Sequence, residues 1–352
     1  MSTLDFASRT CKLRNGDDLR IERFTPYPGA PLDLIRAIYD MALQVHGGLT
    51  HWVPLADSLY VSRSLAGSFV ETGLDLYFTG WVDDRIVGHV GYQTAVDAPH
   101  LGSLGWVYTE PNYRGLGISS YLTGYALEHF QAAGGRCMQL GTSNPIANRL
   151  YAKHGFFDYH GHVMRWLREG EDAENFDAGL FANTGPATVR DVVWGDATKV
   201  AMLYAAPHAW FSKDYGEHLF AMPPRRYFSV FTSLMIHMEQ KQGAILVLES
   251  PRKIVVGAAN LLPVDPLVQR HTANFDFLVR PAYRGQARDL LDAAIRKAGE
   301  MPVEILWLNV AACDTEKKSM ARAAGFQQVA TKTGQLRVGT RTEDLELYRL
   351  AL

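Results

Sequence analysis

Cysteine is scarce. The chain has three in 352 residues, and Cys11, Cys137 and Cys313 show neither the paired spacing of a zinc site nor the density of a disulfide framework. No metal is expected. Neither sign of charge is in excess: 35 Lys and Arg face 37 Asp and Glu for a net charge of −2, which removes the electrostatic reason to expect a nucleic acid partner. Long apolar runs are missing too. No stretch approaches the ~20 apolar residues of a membrane span, and Met1-Ser-Thr-Leu-Asp-Phe6 lacks the basic start and apolar run of a secretory leader. A cytoplasmic protein with no membrane partner is the expectation. At ~150 residues per domain the length suits two domains.

What is present is organised around Val107-Tyr-Thr-Glu-Pro-Asn-Tyr-Arg-Gly-Leu-Gly-Ile-Ser-Ser-Tyr-Leu-Thr-Gly-Tyr-Ala-Leu127. Leu104, Trp106 and Val107 read as the end of a strand, and Ile118, Leu122, Tyr125 and Ala126 recur at helical spacing after a glycine-containing turn. A helix start offers free N–H groups and the positive end of the helix dipole, and Gly115 and Gly117 let a phosphate approach the backbone. The spacing is not the G-x-G-x-x-G of a dinucleotide site, and the Lys-Ser pair of a P-loop is absent. An ordinary turn and helix cap is the competing reading of these glycines. A second block, Leu140-Gly-Thr-Ser-Asn-Pro-Ile-Ala-Asn-Arg-Leu-Tyr-Ala-Lys-His-Gly-Phe-Phe157, follows a short apolar strand at Cys137–Leu140 and holds a helix from about Pro145 to Lys153 that stops at Gly155.

Together the two blocks resemble the GNAT acyltransferase superfamily. The first family motif is matched at Pro111, Tyr113, Arg114 and Gly117, with Ser119 where Gly or Ala is usual. The second is matched at Asn144, Ala147, Leu150, Tyr151, Lys153, Gly155 and Phe156. The resemblance implies an α/β (α+β) fold with a mixed, mostly antiparallel sheet flanked by helices, and acetyl-CoA or another acyl-CoA as co-substrate. It places the diphosphate on the amides of Arg114, Gly115, Leu116, Gly117, Ile118 and Ser119, and the pantetheine arm along Val107, Tyr108 and Thr109. Asn144 is implied as a contact to that arm and Tyr151 as the acid that protonates the departing thiolate. On residue type alone Asn144 reads as a helix N-cap and Tyr151 as a core residue; it is the motif that favours function for both.

The remaining elements follow the same order as that fold. Asn15-Gly16 joins two alternating runs, Cys11–Arg14 and Leu19–Arg23, as a hairpin. Helices are expected from Leu32 to Leu43 and from Ser58 to Glu71, then strands Leu74–Val82, Arg85–Gln93 and one ending at Thr109, with a last strand at His162–Leu167. Residues 1–168 form a first domain, the acidic, glycine-containing 169–186 a linker, and 187–352 a second domain. That second domain is a diverged copy of the first. Pro281-Ala-Tyr-Arg-Gly285 repeats Pro111-Asn-Tyr-Arg-Gly115, and Ala324-Gly-Phe326 repeats His154-Gly-Phe156 at the same displacement. In that register Gly117 becomes Ala287, Ser119 becomes Asp289, Asn144 becomes Asp314 and Tyr151 becomes Ala321. Asp289 sets a negative charge where a diphosphate would sit, so the copy is expected to be degenerate, with a structural or substrate-shaping role.

Transfer to an amine also needs a base, because an alkyl ammonium has a pKa of ~10. Glu110, Tyr108, His89, His46 and His51 are candidates, and the residues do not choose among them. His46, His51, Trp52, Tyr60, Trp81, His89 and Tyr92 are the expected acceptor pocket, suited to a small polar molecule with a flat or aliphatic body. The aromatic loop 207–215 is expected to pack between domains or close over substrate. The function expected is N-acylation of a small-molecule amine by direct attack in a ternary complex, by a monomer or homodimer. O-acylation of a small hydroxylated metabolite and a non-catalytic acyl-CoA sensor are the alternatives.

Overall fold

The computed structural model describes residues 8–43, 55–214, 219–221, 227–240, 242–264, 268–338 and 340–352. They divide into two compact units, Met1–Ala173 with Trp194–Thr198, and Glu174–Val193 with Lys199–Leu352.

In the first unit Gly16, at φ +94°, turns β1 (Ser8–Lys12) into β2 (Asp18–Phe24). Helices α1 (Leu32–Leu43) and α2 (Leu55–Leu65) follow. α2 starts and stops earlier than its periodicity suggests, because the chain turns at Gly67 with φ +76°. β3 (Gly73–Val82), β4 (Arg85–Ala95) and β5 (Ala98–Thr109) form an antiparallel meander. Then come α3 (Ile118–Ala132), β6 (Cys137–Gly141), α4 (Pro145–Ala152), β7 (Phe157–His160) and β8 (Val163–Leu167). The strand order is β1-β2-β3-β4-β5-β6-β8-β7. All neighbours are antiparallel except β5 and β6, which run parallel and pair only at Leu101–Ser103 with Cys137–Gln139. Beyond Ser103 the two strands part, so the end of β5 has one free edge.

The core lies between the sheet and α3: Phe78, Val90, Tyr92 and Leu104 meet Ile118, Leu122, Tyr125, Ala126 and Phe130, all buried. Two strand glycines let the helix come this close. A Cβ at Gly88 would stand 2.5 Å from Ile118 Cγ2, and one at Gly80 3.1 Å from Leu19 and 3.5 Å from Ile118. Ile118 is the first residue of α3, so the sheet seats the helix at the end that carries the glycine turn.

The second unit repeats the order. It comprises α5 (Ala173–Leu180), β9 (Thr188–Asp191), α6 (Ala197–Ala205), β10 (Ser212–Asp214), β11 (Leu219–Ala221), α7 (Tyr227–Glu239), β12 (Ala244–Glu249), β13 (Val255–Pro263) and β14 (Thr272–Val279), then α8 (Ala287–Gly299), β15 (Ile305–Ala311), α9 (Thr315–Ala323), β16 (Gln327–Val338) and β17 (Arg341–Ala351). The main sheet runs β16-β17-β15-β14-β13-β12-β9, and again one pair, β14 with β15, is parallel. α5 falls in the stretch expected to be a linker. It forms because Phe176 and Leu180, one helical turn apart, are both buried. Among the described residues no helix is long and apolar enough to cross a membrane.

A Gly88→Ala substitution drives a methyl into the start of α3. The expected cost is about 1–3 kcal/mol of stability, read as a lowered calorimetric melting temperature; a melt unchanged from wild type would contradict the close seating of Ile118.

Candidate functional site

The glycine turn is open. After β5 the chain makes one 3-10 turn at Pro111–Tyr113, extends at Arg114, and enters the left-handed region at Gly115 (φ +80°) and Gly117 (φ +98°) before α3 begins. Nothing lies within 4 Å of where a Cβ of Gly115 would be, and only the Tyr121 ring does so at Gly117. The first backbone bonds of the helix run from Ser120 and Tyr121 to the Gly117 carbonyl, both 3.0 Å. The N–H groups of Gly115, Leu116, Gly117, Ile118 and Ser119 have no acceptor among the described residues. Five adjacent donors therefore stand at the positive end of a 15-residue helix whose first turn holds no acidic residue. That is the arrangement that binds a phosphorylated group.

The free edge of β5 leads into this turn. His89 pairs with Tyr108 and Gly91 with Gly105, so Trp106 and Val107 together face Val90 in a β-bulge. Trp106 takes φ +55°, and its carbonyl accepts a hydrogen bond from His89 Nδ1 at 2.5 Å. Glu110 N–H bonds Val87 O at 2.9 Å; ladder alternation sends the backbone polar groups of Thr109 the other way, into the gap. The Thr109 carbonyl there receives Arg114 Nε at 3.2 Å. His89 is fully buried, and burial pushes its pKa down to about 4 against the opposing pull of the Trp106 carbonyl. The ring is neutral at physiological pH. Its Nδ1 carries the proton, which leaves Nε2 bare, and Nε2 has no partner among the described residues.

Across the gap, Asn144 caps α4: its Oδ1 accepts from the amides of Ile146 at 2.9 Å and Ala147 at 3.4 Å. The acceptor is used, and Nδ2 is the atom with no partner among the described residues. Tyr151 is 5% exposed and packs against Phe156 at 5.9 Å. Its hydroxyl has no partner among the described residues, and burial pushes its pKa up to about 12. The phenol holds its proton at neutral pH.

The other expected residues separate. Glu110 is ion-paired with Arg85 at 2.8 Å, and Tyr108 lies under the Arg114 guanidinium at 5.9 Å. Trp81 sits beneath Arg20 at 5.4 Å with its Nε1 on Thr79 Oγ1 at 2.9 Å. Tyr92 does not join a pocket with His89. Three residues apart on one strand, the two point to opposite faces, and Tyr92 is in the α3 core with its hydroxyl 2.7 Å from His129 Nδ1. His46, His51 and Trp52 lie outside the described residues. The cluster that sequence reading missed surrounds Asp75. Tyr60 donates to both its oxygens at 2.8 and 2.9 Å, Ser64 donates to it and lies 2.8 Å from Tyr77 Oη, and Gln93 Nε2 reaches Tyr60 Oη at 2.6 Å. Its signal was the period-two placement of Asp75 and Tyr77, and of His89 and Gln93.

The second unit has the same places, filled. Residues Pro281–Gln286 form a continuous 3-10 turn that runs straight into α8, with no left-handed glycine, and the amide of Ala287 bonds Arg284 O. Gln286 exchanges hydrogen bonds with the backbone of Ala187 at 3.0 and 3.1 Å, and Tyr283 Oη bonds Ala182 O at 3.0 Å. Asp289 occupies the first turn of α8. Beyond the last β14–β15 pair, Phe275 with Leu308, the chain's own segment Phe211–Lys213 is pinned. Phe211 N–H donates to Asp314 and Lys213 N–H to Asp276, each at 2.8 Å, while the fully buried Lys317 bonds both Phe211 O and Asp276. The aromatic loop 207–215 thus folds into its own unit, apart from Tyr215, which is outside the described residues. No group of three or more metal-ligating side chains occurs among the described residues.

The sequence profile of the acetyltransferase (GNAT) family matches residues 50–156 and again 204–326. No curated protein matches the chain. Similar solved structures include yncA, a putative acetyltransferase from Salmonella typhimurium with acetyl-CoA (19% identity, TM-score 0.40, 47% of this chain and 94% of that one). Others are an acetyltransferase of the GNAT family from Streptococcus pneumoniae (15%, TM-score 0.39, 47% and 99%) and a ribosomal-protein-alanine N-acetyltransferase from Brucella melitensis (22%, TM-score 0.39, 47% and 99%). With one match in each compact unit, together well over half the chain, this protein belongs to the acetyltransferase (GNAT) family of acyl-transferring enzymes.

Proposed function

We propose that residues 1–168 bind acetyl-CoA and transfer its acetyl group to the primary amine of a small molecule by direct attack, and that residues 187–352 are a degenerate copy without a cofactor site. The observation that carries this is the run of five partnerless amides, Gly115 to Ser119, present in one unit and absent from the other. Those five amides hold the diphosphate; the Arg114 N–H, expected among them from the sequence, is already given to the Pro111 carbonyl at 3.3 Å. The free edge of β5 at Val107–Thr109 receives the amide-bearing arm as an added strand, with Asn144 Nδ2 as a further donor.

The acyl-CoA supplies an activated thioester; the chain supplies position and proton control. A backbone N–H at the splayed end of β5 polarises the thioester oxygen. Tyr151, protonated up to about 12, gives its proton to the departing sulfur. Of the candidate bases among the described residues, Glu110 is neutralised by Arg85 and Tyr108 is covered by Arg114. His89 Nε2 is the bare acceptor that takes a hydrogen bond from the N–H of the incoming amine and aligns it, and the proton the amine sheds goes to solvent and not to this buried, weakly basic ring.

Two measurements test these roles. Isothermal titration is expected to give one acetyl-CoA site per chain, and Ser119→Asp, which imports the charge of Asp289, is expected to weaken that site at least about tenfold while leaving the melting temperature intact. Two equivalent sites would contradict the degenerate reading. Tyr151→Phe is expected to lower kcat by about a hundredfold with acetyl-CoA affinity unchanged, followed as release of the CoA thiol; undiminished turnover would remove the acid role.

A further inference from the structure

The sheet face opposite α3 carries a polar cluster that acyl transfer alone does not require. Asp75 and Tyr77 on β3 share this face with His89 and Gln93 on β4, and Asp75 stands directly opposite Gln93 in the ladder. Aromatic rings wall it: Tyr60 stacks on Phe69 at 5.5 Å and on Trp106 at 6.4 Å, and Tyr77 on His89 at 5.4 Å.

The protons in this cluster can be assigned. Tyr60 has one hydroxyl proton and gives it to Asp75, so Gln93 must be the donor to Tyr60, which turns Gln93 Oε1 away. Ser64 donates to Asp75, so Tyr77 donates to Ser64. Gln93 Oε1 and His89 Nε2 are buried and have no partner, in residues 6% and 0% exposed. Asp75 is itself partly accessible and has no cation within ion-pair distance among the described residues. Burial pushes its carboxyl up to about 6, against the hydrogen bonds from Ser64 and Tyr60.

Both unpartnered atoms of the cluster are therefore acceptors, and beside them stands a carboxylate without a counter-charge among the described residues. An uncompensated carboxylate is costly to desolvate. A cationic donor completes it, and ring faces favour a cation further. His89 and Gln93 lie four residues apart on one strand, roughly 13 Å at about 3.3 Å per residue.

We propose that the acceptor is an aliphatic amine bearing a second cationic nitrogen: the reacting nitrogen meets His89, and the second lodges between Asp75 and Gln93. The placement of the reacting end rests on the acyl-transfer reading above. Asp75 is then a specificity residue and not a catalytic one.

The test is isothermal titration of the full chain at neutral pH with 1,8-diaminooctane and with n-octylamine as probes. The diamine is expected to bind at least about tenfold more tightly, and Asp75→Asn to abolish that difference. Should Asp75→Asn fail to fold, Gln93→Lys decides, since a lysine beside the carboxylate is expected to displace the second nitrogen and abolish the same preference. Equal binding of the two amines by wild type, or a preference that survives in a folded variant, would overturn the proposal. CoA thiol release in the same preparations reports separately on acyl transfer: its failure beside an intact diamine preference would count against the acyl-transfer reading alone.

Discussion

The first unit depends on where α3 begins. Its opening residue, Ile118, rests on bare strand backbone at Gly80 and Gly88. Two left-handed glycines ahead of it keep the chain from closing the helix backwards. A helix start left in this way has donors that its own geometry cannot satisfy, and here five adjacent ones have no acceptor among the described residues. The bulge at Trp106 and the short β5–β6 pairing open a strand edge leading to the same spot. A run of amides without acceptors and an adjoining strand edge are consequences of the same few backbone choices.

The second unit shows what happens when those choices change. With Ala287 and Gln286 in place of a left-handed glycine, the turn winds into a 3-10 helix, and its amides bond to its own carbonyls. The gap beside β14 is occupied by Phe211–Lys213, held by Asp276, Asp314 and the buried Lys317. Asp314 replaces Asn144 as the residue ahead of the helix, and there it caps an incoming piece of chain and not its own helix. The fold is retained while the donors that define the site are used internally.

Much of this was legible in the sequence because it is local. The Asn15-Gly16 hairpin, the glycine turn, the Pro145 helix and the internal repeat all rest on residues close in the chain, and the elements appear within a few residues of where spacing puts them. What was not legible depends on faces and on distant partners. Tyr92 reads as a pocket aromatic until strand alternation and His129 place it under α3. Trp106 takes its left-handed backbone alongside a carbonyl bond from His89, and Asp75 draws its partners Tyr60 and Ser64 from α2, with Gln93 of β4 bonded to Tyr60. α5 was hidden by acidic and glycine residues around a single buried Phe176–Leu180 pair.

Peptide-resolved hydrogen exchange with and without acetyl-CoA tests the central claim most directly. Amides from Gly115 to Ser119 are expected to exchange freely in the unliganded chain and to become protected when acetyl-CoA is added, while a peptide covering Pro281–Asp289 is slow from the start and unchanged. No protection at Gly115–Ser119, or equal new protection at Pro281–Asp289, would contradict the account.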